Sequence, residues 1–168
     1  MLLNSVTNNM ISKKIVIVGH FGVGKTSLIR RFVEDVFSAD YKVTIGVHIL
    51  KKTVHVNDKE VNLILWDTEG TDDIEEIRKA YLLGTHGFIF VCDVTRPVTY
   101  QNIESQTQYL KDNFNKVPIL SIGNKSDLLP KGSISEKKEE LEFLDMLVSA
   151  KEGNNVQRLF EKIAKILS

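Results

Sequence analysis

The sequence predicts an α/β fold in one domain, built on a mostly parallel sheet with helices on both faces. Strand-like and helix-like segments alternate over nearly the whole chain, which is typical of such a sheet. The segment from Gly87 to Cys92 is apolar throughout, as expected for a strand that is covered on both faces. The chain has 168 residues, of which 42% are hydrophobic, and this is enough to bury one core.

The first half of the chain begins with a β-branched run, Lys13 to Val18, which predicts a strand ending at a glycine. Lys25 to Phe37 carries apolar residues at helical spacing, so it predicts a helix. Ile45 to Val56 and Glu60 to Asp67 are strand-like, and Asn57-Asp58 between them has the composition of a tight turn. We therefore expect these two strands to form an antiparallel hairpin.

The second half continues the alternation with the same kinds of pattern. In order, it predicts a helix over Asp72 to Leu83, a strand over Gly87 to Cys92, a helix over Thr99 to Asn113, a strand over Val117 to Ile122, a helix over Ile134 to Leu141 and a strand near Phe143 to Val148. Asn155 is expected to cap a last helix whose apolar stripe ends at Leu167. Residues 1–12 are polar and aperiodic, so we expect a flexible arm before a domain over residues 13–168.

Composition excludes several classes of protein. Lys+Arg and Asp+Glu are both 22, so the net charge is zero, whereas a protein that binds nucleic acid through many phosphates is usually basic. The single cysteine, Cys92, excludes an internal disulfide and a cysteine zinc cluster, and it suits a reducing compartment. For the sequence as given we expect no signal peptide, membrane helix or lipidation motif. We expect a cytoplasmic monomer, with any recruitment to membranes coming from partners.

The first chemical motif lies between the first strand and the first helix. Gly19 to Thr26 fits G-x-x-x-x-G-K-[ST], in which glycines let main-chain amides turn toward an anion at a helix N-terminus. Lys25 would reach the outer phosphates and Thr26 would bind Mg²⁺. The ordinary alternative is a glycine turn, but a chance match is on the order of 1% in a chain of this length. The predicted phosphate-site residues are Phe21, Gly22, Val23, Gly24, Lys25, Thr26 and Ser27.

A second motif follows the hairpin, in the sequence Trp66-Asp67-Thr68-Glu69-Gly70. A carboxylate at the end of a strand, such as Asp67, is suited to hold a Mg²⁺-bound water, and Gly70 could offer its N–H to a terminal phosphate. Taken alone the motif is weak, because Asp at the end of a strand is more often a helix cap.

Two further segments follow later strands. In Asn124-Lys125-Ser126-Asp127, the carboxylate of Asp127 can accept hydrogen bonds from N1–H and the 2-amino group of guanine, which adenine lacks. The Lys125 stem can lie along the face of the base. Ser149-Ala150-Lys151 follows the next strand, where the Ala150 N–H could reach the guanine oxygen. Each segment is weak alone, and their common position at the carboxyl ends of strands is what links them.

In this order the four segments resemble the guanine-nucleotide signature of the Ras superfamily of small GTPases, and most closely its Rab branch. The resemblance covers about residues 13 to 167. It implies a P-loop NTPase fold with six strands, the second antiparallel, and a Mg²⁺-dependent GTP/GDP switch. By this likeness Thr44 reaches Mg²⁺ in the triphosphate state, Phe37 lies against the guanine and Tyr41 lies near the phosphates. The segment around Thr44 is then switch I, and Gly70 to Ile77 is switch II.

Three substitutions depart from the family pattern on the catalytic side. Thr71 stands where a glutamine usually orients the attacking water, Glu69 stands where alanine is usual, and Phe21 stands where glycine or serine is common. We expect Glu69 to bring negative charge close to the terminal phosphate and Phe21 to crowd the attacking water. The sequence therefore predicts a weak GTPase with slow hydrolysis, since this chemistry depends on positioning. The catalytic set implied by the resemblance is Lys25, Thr44, Gly70 and Thr71.

Effector and exchange-factor proteins are the partners that the resemblance implies, through a surface of Ile49, Trp66 and Tyr81. The aromatic that the Rab branch has at the first of these positions is absent, and plain packing is an equal alternative. A pseudo-GTPase scaffold that holds guanine nucleotide without switching remains open. A phosphate-loop kinase using ATP also remains open, although it leaves Asn124 to Asp127 unexplained.

Overall fold

A six-stranded sheet forms the centre of the computed structural model, which describes residues 10–40 and 42–168. Within those residues the strand order is β2-β3-β1-β4-β5-β6, and every neighbouring pair is parallel except β2 with β3. The predicted fold class and hairpin are confirmed. The strands are β1 (Ile11–Val18), β2 (Val47–Val56), β3 (Lys59–Thr68), β4 (Gly87–Asp93), β5 (Ile119–Asn124) and β6 (Met146–Leu147).

Helices cover both faces of this sheet. They are α1 (Lys25–Glu34), α2 (Lys79–Leu82), α3 (Ile103–Asn113), α4 (Ser133–Glu136) and α5 (Val156–Leu167), with single 3₁₀ turns at Ile74–Glu76, Pro97–Thr99 and Ser126–Leu128. Within the described residues, no helix has both the length and the apolar character needed to cross a membrane.

Because successive side chains of β1 point to opposite faces of the sheet, they pack into two core clusters, one on each face. Ile15 and Ile17 pack with α1 and α5, where the rings of Phe32 and Phe160 stack with centroids 4.0 Å apart. Side chains of the intervening residues point the other way, toward α2 and α3. A strand segment that is buried on both faces is normally apolar at each position, which explains the continuous apolar runs at residues 15–18 of β1 and 87–92 of β4. The carboxyl ends of the parallel strands are thereby fixed at one edge.

Several predicted boundaries were wrong for local reasons. β1 begins at Ile11, so the predicted arm overlaps the strand, and residues 1–9 lie outside the described residues. The helix predicted to end at Phe37 ends at Glu34, because Asp35 adopts a left-handed conformation (φ 54°), which aspartate tolerates better than most residues. Asn155 precedes α5 as predicted but makes no side-chain cap. Its amide donates to the Leu147 carbonyl instead.

The helices predicted over switch II and in the second half are shorter than expected. The segment Asp72 to Leu83 contains one 3₁₀ turn, an extended break at Ile77 and the single turn of α2. The helix predicted from Thr99 is a 3₁₀ turn followed by α3. The helix predicted over Ile134 to Leu141 is reduced to α4, since most of its residues are exposed and charged, and little burial supports it. The strand near Phe143 to Val148 is reduced to β6.

Candidate functional site

A cavity of about 410 Å³ lies at the carboxyl edge of the sheet and is lined by all four sequence motifs. Ligands of open α/β sheets bind at this edge. The predicted site residues that line it are Phe21, Gly22, Gly24, Lys25, Thr26, Ser27, Phe37, Thr44, Gly70, Asn124, Lys125, Asp127, Ala150 and Lys151. Val23, Asp67, Thr71 and Ser149 do not line the cavity, and Tyr41 lies outside the described residues.

The phosphate-loop lysine is buried at the start of α1. Lys25 Nζ donates hydrogen bonds to the carbonyl oxygens of Gly19 and His20, both at 2.9 Å. Burial lowers the pKa of the Lys25 ammonium to about 8, although the Asp67 carboxylate opposes this shift. The main chain of the loop therefore holds the ammonium at the head of the helix, where the helix dipole also favours an anion.

Three oxygen-bearing side chains meet beside this lysine. Thr26 Oγ1 donates to Asp67 Oδ2 at 2.6 Å and lies 2.7 Å from Thr44 Oγ1. A hydroxyl has one proton to donate, so the Thr44 hydroxyl is the donor in the second bond. Burial raises the pKa of the Asp67 carboxyl, against the hydrogen bond from Thr26. Asp67 Oδ1 is buried without a hydrogen-bond partner among the described residues. This all-oxygen set, with one unsatisfied carboxylate oxygen, fits Mg²⁺.

At the opposite end of the cavity, Asp127 is oriented from behind by a buried hydroxyl. Ser149 Oγ donates to Asp127 Oδ1 at 2.7 Å and accepts from the N–H of Glu152 at 3.0 Å. Ser149 itself is fully buried. One carboxylate oxygen is thus fixed by the protein, and Asp127 still lines the cavity with acceptor capacity to spare. Ser149 acts on the site through Asp127.

Asn124 joins three loops of the site. Its Nδ2 donates to the Val23 carbonyl at 2.9 Å, and its Oδ1 accepts from the Ala150 N–H at 3.1 Å. Asn124 and both of these partners are buried. The phosphate loop, the end of β5 and the loop before α5 are therefore held in register by one amide.

Lys125 adds a second link between the segment after β5 and the phosphate loop. Its Nζ donates to the Gly22 carbonyl at 2.8 Å and lies 2.7 Å from Asp93 Oδ2. Burial alone would raise the pKa of the Asp93 carboxyl, but hydrogen bonds from Lys125 and Thr95 outweigh it and keep that pKa below its usual value. Sequence reasoning did not assign Asp93 to the site, although a carboxylate directly after an apolar strand was the available signal.

Arg31, on α1, also supports the structure of the site. Its Nε donates to the Ala150 carbonyl at 2.9 Å and its Nη2 donates to the Lys151 carbonyl at 2.6 Å. Because five N–H donors fan out from one guanidinium, a single side chain can hold a turn of backbone. No motif in the sequence indicated this role.

Two of the three positions that depart from the family pattern, Thr71 and Glu69, make side-chain contacts in or beside the switch segments. Thr71 Oγ1 lies 2.9 Å from the Asp73 carbonyl oxygen and 2.7 Å from Glu76 Oε2. The side chain of Glu69 accepts a hydrogen bond from the Gly46 N–H at 3.2 Å and does not line the cavity. A Cβ on Gly70 would lie 2.4 Å from the Phe21 Cα, so only glycine permits this close approach to the phosphate loop. The Phe21 side chain is 46% exposed at the edge of the cavity.

His20, inside the phosphate loop, is another residue that no sequence pattern assigned to the site. Its Nδ1 lies 3.2 Å from Asp72 Oδ1, and its buried Nε2 has no partner within residues 10–40 and 42–168. Burial lowers the pKa of this imidazole, and Asp72 only partly opposes the shift. Neutral His20 therefore connects the phosphate loop to switch II.

The three residues of the predicted partner surface lie together. Ile49 on β2 is the cross-strand neighbour of Trp66 on β3, and the Trp66 and Tyr81 rings are 6.3 Å apart. Ile49 is 48% exposed. Lys14 Nζ lies 3.6 Å from the centroid of the Trp66 ring, so a cation covers one face of the indole.

Comparisons with known proteins show the family of this chain. A model of the Ras family matches residues 14–168. The chain is 37% identical over 161 residues to the Ras-related protein SEC4 of Saccharomyces cerevisiae, in an alignment covering 92% of this chain and 74% of that protein. It is 36% identical over 158 residues to the Ras-related protein RABA1f of Arabidopsis thaliana, covering 89% of this chain and 72% of that protein.

Proposed function

Because the chain belongs to the Ras family, we propose that it is a Mg²⁺-dependent GTP/GDP-binding switch whose intrinsic GTP hydrolysis is slow. The observation that carries this proposal is the pairing of two features in one cavity. Asp127, oriented by Ser149, lies at one end, and the Lys25 ammonium lies with the Thr26, Thr44 and Asp67 oxygens at the other. A purine-selecting carboxylate and a phosphate-binding loop at a fixed separation suit a guanosine polyphosphate.

Each end of the cavity has a distinct role in this proposal. Main-chain amides of the phosphate loop and Lys25 bind the phosphates, and Asp127 accepts the two donors of the guanine edge. Thr26 and Thr44 hold Mg²⁺, with Asp67 acting through a metal-bound water. The metal, when bound, neutralises charge on the outer phosphates. Phe37, which lines the cavity, lies against the base.

Slow hydrolysis is supported by the contacts of switch II. Small GTPases accelerate hydrolysis mainly by positioning a water in line with the terminal phosphate. The Thr71 hydroxyl already has partners in Asp73 and Glu76, and it is too short to span the distance that a glutamine side chain covers. The phenyl ring of Phe21 stands at the cavity edge where a water or a partner's arginine would enter.

The binding half of the proposal is tested by denaturing purified protein and identifying any released nucleotide, followed by calorimetry on emptied protein with Mg²⁺. We expect GDP or GTP to bind and ATP not to compete. Asp127→Ala is expected to remove the preference for guanine while leaving the fold intact. No heat with either guanine nucleotide on folded, empty protein would overturn the proposal, and competition by ATP would favour the kinase alternative.

The hydrolytic half is tested by single-turnover conversion of bound GTP in the wild type and in Thr71→Gln. We expect a wild-type rate below ordinary intrinsic small-GTPase values, which are about 10⁻⁴ s⁻¹, and an increase in the glutamine variant. Thr107→Gln, on α3, is the matched control, because it introduces the same side chain away from the cavity. A wild-type rate at or above the ordinary value would refute slow hydrolysis.

A pseudo-GTPase scaffold is the second candidate, and the engagement of Thr71 within switch II favours it. The two candidates differ in whether partner binding depends on the terminal phosphate. Binding of partners at the Ile49, Trp66 and Tyr81 surface is therefore compared with GDP and with a non-hydrolysable GTP analogue. Equal binding in both states supports the scaffold, and a difference supports the switch.

A further inference from the structure

Glu69 makes a side-chain contact that joins the end of switch I to the start of switch II. The Glu69 N–H donates to the Gly46 carbonyl at 2.9 Å, and the Gly46 N–H donates to Glu69 Oε2 at 3.2 Å. Val47 and Thr68 are the last paired residues of the β2-β3 ladder, so this pair lies one step beyond it. In a regular antiparallel pair the second bond would go to a carbonyl oxygen. Here a carboxylate accepts it.

This contact lies close to a predicted Mg²⁺ ligand. Gly46 follows Thr44 by two residues, and the Thr44 hydroxyl reaches Thr26 at 2.7 Å. Gly46 has φ 71°, a conformation that strongly favours glycine, and a Cβ there would meet the Tyr81 hydroxyl at 3.6 Å. The Glu69 carboxylate therefore holds the backbone at the Gly46 amide, between Thr44 and β2.

We propose that Glu69 is a positioning residue, which holds switch I against the sheet and keeps Thr44 at the metal site whether or not the nucleotide carries a terminal phosphate. This inference rests on the proposed function and concerns its regulation. In a nucleotide-dependent switch, the terminal phosphate orders this segment, and its loss releases it. A hydrogen bond from an amide to a carboxylate is among the stronger ones. Because this chain supplies that bond itself, the order of switch I differs less between the GDP-bound and the GTP-bound protein.

Hydrogen exchange of the amides of residues 42–50, measured in GDP-loaded and GTP-analogue-loaded protein, tests whether Glu69 holds switch I. We expect wild-type exchange to differ by less than about threefold between the two states. In Glu69→Ala the GDP state is expected to exchange on the order of tenfold faster, the ratio that one charge-assisted bond supports, while the analogue state changes little. Glu69→Gln keeps an acceptor oxygen and should restore much of the protection. Glu75→Ala removes a nearby exposed carboxylate and should change nothing.

The outcomes separate this inference from the proposed function. Nucleotide loading is measured first, by release and chromatography, so failure to bind is recorded independently of exchange. If the wild type binds both nucleotides and its exchange differs between the two nucleotide states as much as that of Glu69→Ala, the proposed role of Glu69 is overturned. Equal exchange of residues 42–50 in wild type and Glu69→Ala with GDP would overturn it as well. A merely structural role of Glu69 would raise exchange equally in both nucleotide states.

Discussion

Replacing Asn124 by alanine removes both hydrogen bonds that hold the three loops of the site together. The change leaves the Val23 carbonyl and the Ala150 N–H buried without their partner. An unsatisfied buried polar group costs about 1–3 kcal/mol, so we expect a loss of about 3 kcal/mol in the free energy of unfolding. For a domain of this size each kcal/mol lowers Tm by about 2–4 °C, which gives a fall of roughly 6–12 °C.

Thermal unfolding followed by circular dichroism measures this effect. Wild type and variant are compared free of nucleotide, because a ligand that binds the two proteins with different affinity shifts their apparent stability by different amounts. Asn113→Ala is the matched control, since that amide makes one exposed bond to the Tyr109 carbonyl within α3. We expect the control to change Tm by less than about 2 °C. If Asn124→Ala melts within 2 °C of the wild type, the loops are not held in register by this amide.

The remaining predictions concern the groups behind the site. Ser149→Ala should weaken GDP binding by about tenfold, the loss of one hydrogen bond to a charged group, as measured by calorimetry; an unchanged Kd would refute the role of Ser149 in orienting Asp127. The pKa of Asp93 is below its usual value, so this carboxylate contributes stability above the unfolded pKa and loses it as pH falls through the folded one. Asp93→Asn should therefore lower the urea midpoint at pH 7, and the difference from wild type should narrow below about pH 4; a constant difference would contradict the argument. Burial raises the pKa of the Cys92 thiol to about 12, so a thiol reagent at pH 8 should label Cys92 only in unfolded protein; rapid labelling of the native chain would refute its burial.

The parts of the fold that the sequence predicted well are those whose pattern reports burial directly. Residues 15–18 of β1 and 87–92 of β4 lie between two helical layers, so each of these positions had to be apolar, and the runs were visible. The hairpin was visible through Asn57 and Asp58, both of which have positive φ. Switch II gave a misleading pattern, because Ile74, Ile77 and Leu82 share helical spacing but are buried through a 3₁₀ turn, an extended break and a single helical turn.

For the site, the sequence singled out residues that line the cavity more readily than the groups behind them. Lys25, Thr26 and Asp127 belong to motifs whose spacing has a chemical reason, and all three line the cavity. Arg31 and Asp93 act through tertiary contacts with residues far away in the chain. Such contacts leave no local periodicity, so pattern reasoning had no means of separating Arg31 from an ordinary surface arginine.

The two halves of the site are built from different kinds of contact, which has a consequence for function. At the base end, Asn124 and Ser149 make buried bonds between loops, and these open only with much of the surrounding structure. In the switch segments, Thr71 and Glu69 make bonds that are more exposed, to residues of the switch segments themselves. Under the proposed function, we therefore expect changes at those two positions to alter hydrolysis and the response to the terminal phosphate while the affinity for the purine stays the same. A site built in this way would retain guanine-nucleotide binding while its catalytic positions depart from the family pattern.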